Sequence, residues 1–351
     1  MPNTGSPSFE IVLDGVTLSG STLRHLLRAE LRESLDALDA LTLTLVVPQN
    51  PGEVTGLAKP GSSFVVRLGQ GDERREVHGS IVEVSHSRGV SAPWTLTFSG
   101  LDRLHELTRK RAKKVRQGSD ASVVQQIASE CGLRPEIEDV NATGDYTLQL
   151  NEDYASFLLR VARANDYIVR IEDHDTLRFS RRLSAYQAAN VSLRWGEDIE
   201  QIELSACVRD VVSEVKVRGW NPLQGEWVSG SASASDLAKF SGGSTGPELA
   251  RAAFGEWVLE VDNAKVSSSS KAKAMAKAEL QQRANSFVSG TVECPGLPSA
   301  VSGARLSIRD AGKPLSGDFV IGETVHALTP DAGYRTTIRF FSDSLPMGGA
   351  A

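Results

Sequence analysis

Short apolar or alternating runs bounded by Gly, Pro and Asn fill the first hundred residues: FEIVLDG (9–15), LTLTLVV (41–47) and SFVVRLG (63–69). Such runs predict β-strands. Residues 80–84 and 94–98 join them, the second alternating Trp94, Leu96 and Phe98 on one face. One stretch reads differently. Leu23, Leu27, Leu31 and Leu35 recur every four residues, which by spacing alone predicts a helix over 22–38.

The pattern changes over 105–185. Asp120 is placed to cap a helix that buries Val123, Val124, Ile127, Ala128 and Cys131 and stops at Gly132. A second helix starts from Asn151 or Asp153 and carries the stripe Tyr154, Phe157, Leu158, Val161 and Ala162, with Asn165 as its left-handed stop. A hairpin follows: strands at 167–171 and 177–179 around a polar turn at 173–175. Strands return at 191–195 and 211–220. Residues 229–246 are rich in Ser, Gly and Ala and read as a mobile surface loop. An Ala-rich helix over 269–287 turns Ala272, Met275, Ala276, Leu280, Ala284 and Phe287 inward. Strands at 304–309, 318–326 and 334–341 complete the pattern.

The final strands echo earlier ones. Residues 61–98 run from an apolar strand through a polar turn to Gly79-Ser80-Ile81-Val82, then His86, a Gly-bearing loop and Trp94-Thr95-Leu96-Thr97-Phe98. Residues 303–341 repeat that order with Gly317-Asp318-Phe319-Val320, His326, Gly333 and Tyr334-Arg335-Thr336-Thr337-Ile338. The two histidines and the two aromatic strand starts share an offset of 240 positions. The echo predicts two copies of a small antiparallel barrel separated by an α/β insert. Three such chains would offer six similar barrels in a closed ring, matching a sixfold partner.

Composition narrows the chemistry. At 351 residues the chain has room for two or three domains. The net charge of −6 argues against nucleic acid as the main partner, because phosphate binding needs a positive field. No apolar run reaches the roughly 20 residues of a membrane span, and the start MPNTGSPSFE lacks the features of a signal peptide. Cys131, Cys207 and Cys294 lie far apart without metal-type spacing and read as reduced thiols.

No catalytic motif emerges. The histidines show no His-x-His or His-Glu-x-x-His spacing, and neither a Gly-x-Ser-x-Gly elbow nor a phosphate-binding Gly-x-x-x-x-Gly-Lys loop occurs. Glu172-Asp173-His174-Asp175 has metal-ligating types, but strand neighbours face opposite ways and a hairpin turn needs polar residues there anyway. Glu33 and Asp36 read as surface charges. Trp220, Trp227 and Trp257 read as buried anchors, by default of the core. The densest charge cluster is Arg109, Lys110, Arg111, Lys113, Lys114 and Arg116. It is either a solvated linker or a contact for an acidic partner surface. These six are the only candidate site residues; no catalytic, metal or cofactor residue is assigned.

The order and spacing of several segments resemble a known family: the late control protein D and VgrG-type hubs of phage tails, tailocins and type VI secretion. The residues are WTLTFSGLDRLHEL (94–107), DASVVQQIASECGL (120–133) and LNEDYASFLLRVARANDYIVRIEDHDTLRF (150–179). WGEDIEQIEL with VKVRGWNP (195–222) is similar to the start of the second barrel. The Ala-rich helix with GARLSIRD, SGDFVIGETVHAL and GYRTTIRF is similar to its end. The resemblance implies an α+β, mainly β chain. Its parts would be a tube-docking barrel (1–104), an α/β insert (105–185), a second barrel (186–345) and a tail (346–351).

It further implies a strand, not a helix, at 24–34, and a homotrimer whose barrels form a pseudo-sixfold ring. That ring would stand between a hexameric inner tube and a trimeric spike. Because SDSLPMGGAA follows the last strand directly, the spike is expected to be a separate polypeptide. Tape-measure protein, cargo and other baseplate proteins are further expected partners. The place is expected to be the assembled tail or injection particle, after synthesis in the bacterial cytoplasm. Two rival readings are a tail-tip cell-wall hydrolase, which needs two facing carboxylates or a metal, and a carbohydrate-binding adhesin, which would lack the α/β insert.

Overall fold

The computed structural model describes residues 6–138, 146–221, 224–262, 266 and 268–346. All but the first residue of the expected tail, and Pro222 of the VKVRGWNP segment, lie outside them. The fold is mainly β, with helices concentrated in the middle of the chain.

Six strands of the first hundred residues form one antiparallel ladder: β1 (Ser8–Leu13), β2 (Leu26–Ser34), β3 (Ala40–Val46), β4 (Ser63–Gln70), β5 (Glu73–Ser87) and β6 (Thr95–Asp102). Hydrogen bonding links them in the order β1-β4-β5-β6-β3-β2. The four-residue Leu spacing does not make a helix at β2. Ala29, Leu31 and Glu33 are buried while Arg28 and Arg32 are exposed, so a period of two wins over the helical stripe. Leu27 is left exposed on the outer side.

The middle segment comprises β7 (Arg111–Gln117), α1 (Asp120–Glu130), β8 (Arg134–Ile137), β9 (Tyr146–Asp153), α2 (Tyr154–Asn165), β10 (Tyr167–Glu172) and β11 (Thr176–Arg181). Both helices bury the stripes their sequences predict, around Val123, Val124, Ile127, Phe157, Leu158 and Val161. The cap of α1 is Ser119 rather than Asp120. The Ser119 hydroxyl accepts from Ser122, which leaves Asp120 to turn into the core and accept from Thr147 and Asn165. Asp153 caps α2, and Asp166 (φ 57°), not Asn165, takes the left-handed position behind it.

A second ladder follows: β12 (Asn190–Arg194), β13 (Gln201–Ala206), then β17 (Val288–Pro295), β18 (Arg305–Arg309), β19 (Gly317–Thr329) and β20 (Gly333–Ser342). Its order is β12-β18-β19-β20-β17-β13. Between β13 and β17 lie β14 (Glu214–Asn221), β15 (Glu226–Ser233), β16 (Val258–Asp262) and α3 (Ser269–Asn285), which form a three-stranded sheet under one helix. The segment 211–220 therefore does not open the second ladder. It belongs to this added unit, which expands the connection that a short turn makes between β2 and β3.

The Ser/Gly/Ala-rich stretch 229–246 is not a loop. It contributes β15, a 3-10 turn at Ala234–Asp236 and a short strand at Gly242–Thr245. Its small residues serve close packing: a Cβ on Gly230 would strike the backbone of Lys273 in α3, and Ala232 is buried beneath that helix. Trp220 and Trp227 are also not core anchors. Val215 and Val217 face α3, so alternation turns Trp220 outward, and Trp227 opposite it is 63% exposed. The two rings meet edge to face at 5.4 Å, with the Arg218 guanidinium over Trp227. Trp257 is exposed as well.

Candidate assembly interface

The two ladders are equivalent strand by strand. Substituting β12, β18, β19, β20, β17 and β13 for β1, β4, β5, β6, β3 and β2 converts one path into the other. The likeness reaches single residues. β5 carries a bulge between Ile81 and Glu83 against β6, and β19 carries one between Ile321 and Glu323 against β20, 240 positions on. Gly61 (φ 94°) donates to the Ile81 carbonyl at 2.8 Å, and Gly303 (φ 91°) to that of Ile321 at 2.7 Å. A left-handed backbone at both points explains why both are glycine. His86 lies 5.9 Å from Trp94, and His326 lies 5.9 Å from Tyr334. Neither ladder is closed into a barrel by hydrogen bonds among the described residues.

The ladders join through one seam, where β2 pairs antiparallel with the far half of β19, from Ser34 opposite Glu323 to Ala29 opposite Leu328. A buried ionic cluster crosses it. Arg75, on β5, grips Glu33, on β2, through two bonds of 2.7 and 2.6 Å, and donates to the Pro298 and Ala300 carbonyls ahead of β18. His326, on β19, sits 3.3 Å from Glu33 and takes the Tyr334 hydroxyl at 2.8 Å on its other nitrogen. Burial alone would raise the Glu33 carboxyl, but the Arg75 charge and the His326 hydrogen bond hold it far below the usual carboxylate range. Burial pushes the His326 imidazole down, against the pull of Glu33. Glu33, expected on the surface, is thus the centre of the seam. The signal was its place two residues after Leu31 and four after Ala29 in a strand with period two.

A second pair of carboxylates, Asp39 and Asp102, sits at the base of the first ladder. Burial raises both, Asp102 to about 6. Their oxygens accept from the backbone of Ser34, Asp39 and Leu104, which is a turn-and-cap role. Of the Glu172–Asp175 run, Glu172 pairs with Arg178 at 2.9 Å, while Asp173 and His174 take left-handed turn positions. Among the described residues no cluster of His, Cys, Asp or Glu could hold a metal.

Most of the basic run is a strand, not a linker: Arg111, Lys113, Lys114 and Arg116 lie in β7, while Arg109 ends the 3-10 turn before it and Lys110 caps that turn. β7 pairs with β9, leaving Arg109, Lys110, Arg111, Lys113 and Lys114 exposed. Arg116 is withdrawn from that set: it is 3% exposed, bonded to Gln149 and Glu130, and stacked over Tyr154. Hydrogen bonds from Arg116 and Tyr154 lower the Glu130 carboxyl to about 2. Among the described residues no helix is long and apolar enough to cross a membrane.

This duplicated ladder with its α/β middle is a fold shared with phage tail proteins. A 43 kDa tail protein of prophage MuSo2 from Shewanella oneidensis superposes with a TM-score of 0.70 at 15% identity, over 97% of this chain and all of that one. A tail protein from Neisseria meningitidis gives 0.70 at 14% identity, covering 96% and 97%. A type VI secretion component of E. coli, itself similar to T4 bacteriophage tail proteins, gives 0.57 at 12% identity, covering 91% and 74%. A family model described as Alg8 N-terminal domain matches residues 55–330, and the chain belongs to that family. No curated protein matches the sequence.

Proposed function

We propose that the chain is a structural baseplate hub of a contractile injection machine, of the late control protein D and VgrG type found in phage tails and tailocins. In this reading three copies form a ring that adapts a hexameric inner tube to a trimeric spike, and the protein carries no catalysis and no cofactor. The observation that supports it most is the repeated six-strand path, because one chain then offers two equivalent modules and three chains offer six. In this reading the two ladders stand for the barrels expected at 1–104 and 186–345, the second enlarged by the added sheet and helix, with 105–185 as the insert between them. Arg109 and Lys110, at the end of a 3-10 turn, and Arg111, Lys113 and Lys114, on β7, form an exposed basic segment suited to an acidic surface of the spike, tape-measure protein, cargo or another baseplate protein. The particle would assemble from subunits made in the bacterial cytoplasm.

The test mixes the full chain with the tube and spike proteins encoded beside it and follows mass by light scattering. A complex holding three hubs, six tube subunits and three spike chains is expected. A chain that binds neither partner and stays monomeric would contradict the hub.

A further inference from the structure

The seam between the ladders occupies one edge of each, and the equivalence of the ladders identifies a second, unoccupied pair of edges. β2 covers residues 323–328 of β19. The counterpart of that stretch, 240 positions earlier, is residues 83–88: 83–87 lie in β5 and pair only with β6 among the described strands, Arg88 follows the strand, and Glu83, His86 and Arg88 are exposed. The counterpart of β2 is β13, which pairs only with β17. Ile202 and Leu204 of β13 are half-buried beside the core of the second ladder, whereas their equivalents Ala29 and Leu31 are fully covered. Two edges that fit each other within one chain are therefore both open at its ends. Exposed edges of this kind are templates for another strand.

We infer that residues 83–88 of one copy pair antiparallel with residues 202–207 of the next, repeating the internal seam between chains. The register follows from the internal one. Ala29 and Ile202 hold the same place beside Leu43 and Val292, which face Phe98 and Ile338. Carrying Ser34 opposite Glu323 across this equivalence puts Cys207 opposite Glu83, Leu204 opposite His86 and Ile202 opposite Arg88. The Cys207 N–H donates inward to Phe287 at 2.7 Å, so the N–H groups of Ile202, Leu204 and Ala206 point to the open side. The apolar Ile202 and Leu204 then share a face with Val84 and His86. Such a contact joins unlike edges, so it propagates head to tail and ends when a ring closes. The number of copies rests on the hub reading; the register does not.

The experiment uses the full chain in its assembled form. Leu35 donates to the Gly322 carbonyl at 3.1 Å, which makes Ser34 opposite Glu323 a non-hydrogen-bonded pair. Cys207 and position 83 then inherit a Cα separation of about 4.5 Å, within disulfide reach. Mild oxidation of Glu83→Cys should link chains through the native Cys207, giving dimers and closed trimers on a denaturing gel. The added change Cys207→Ser should abolish them, and Ser85→Cys, two positions off register, should link at least tenfold less. A trimer by mass whose Glu83→Cys form does not link, or links no better than Ser85→Cys, overturns the pairing and leaves the hub standing. A chain monomeric with and without tube and spike proteins overturns both.

Discussion

The two ladders share a path but not a packing solution. In the first, the Phe64 ring lies over Gly79 and Gly100, at both of which a Cβ would collide with it. The equivalent positions in the second are Phe319 and Phe340, in contact at 4.6 Å, over Leu306 in place of Phe64 and Gly290 in place of Leu41. One ring above two glycines has become two rings beside a smaller neighbour and a glycine. The outer strands differ too: β1 runs antiparallel to β4, whereas β12 runs parallel to β18. Hydrogen-bond order is kept while residue identity is exchanged, so the second ladder places more side-chain volume at these four positions than the first.

The seam and its open counterpart differ in strength. Glu33, Arg75 and His326 lock the internal seam, but the counterparts of Glu33 and His326 are Ala206 and exposed His86. The contact within a chain is permanent by construction, and the one between chains must rely on backbone bonds and the burial of Ile202 and Leu204.

The largest effect expected from this contrast comes from Glu33→Gln. It strands the half-buried Arg75 guanidinium without its anion, which should lower unfolding stability by about 3–5 kcal/mol in urea titration. Less severe is Gly100→Ala, whose methyl meets the Phe64 ring and should cost about 1–3 kcal/mol. Adding Phe64→Leu, the residue type of the second ladder, should recover most of that loss, and simple additivity would break the packing comparison.

The pH response should be smaller and two-sided. Burial lifts Asp102 from 3.8 to about 6 against its backbone donors. Its contribution is therefore full below pH 3.8 and lost as pH rises through 6. His326 is depressed below 6.5, so its contribution is present above 6.5 and lost as pH falls through its folded value. Asp102→Asn should remove the fall in unfolding stability as pH rises from 4 to 6, so that the opposite loss as pH drops below 6.5 shows more clearly. The smallest effect on the single chain is expected for Ala206→Pro. It removes one outward N–H and should leave monomer stability within about 0.5 kcal/mol, yet weaken self-association at least tenfold in sedimentation.

Much of this was legible in the sequence. The stripes at 123–128 and 154–162 located both helices of the middle segment, and the echo around His86 and His326 located the equivalent ladders. Several local signals misled, two of them over whole segments. The Leu spacing at 23–35 was overruled by pairing to β3 and β19, and the Ser/Gly/Ala run at 229–246 was small for close approach to α3 rather than for mobility. The Glu33–Arg75–His326 cluster could not be foreseen, because its members are separated by 42 and 251 positions and meet only when the two ladders join.

The most direct test of the central claim, that three chains present six equivalent ladders, is electron microscopy of the assembled particle viewed down its axis. A ring with six similar lobes per three hub chains, joined alternately by internal and intermolecular seams, is expected. A ring of three lobes, or a particle in which the regions of Trp94 and Tyr334 face unlike surroundings, would contradict it.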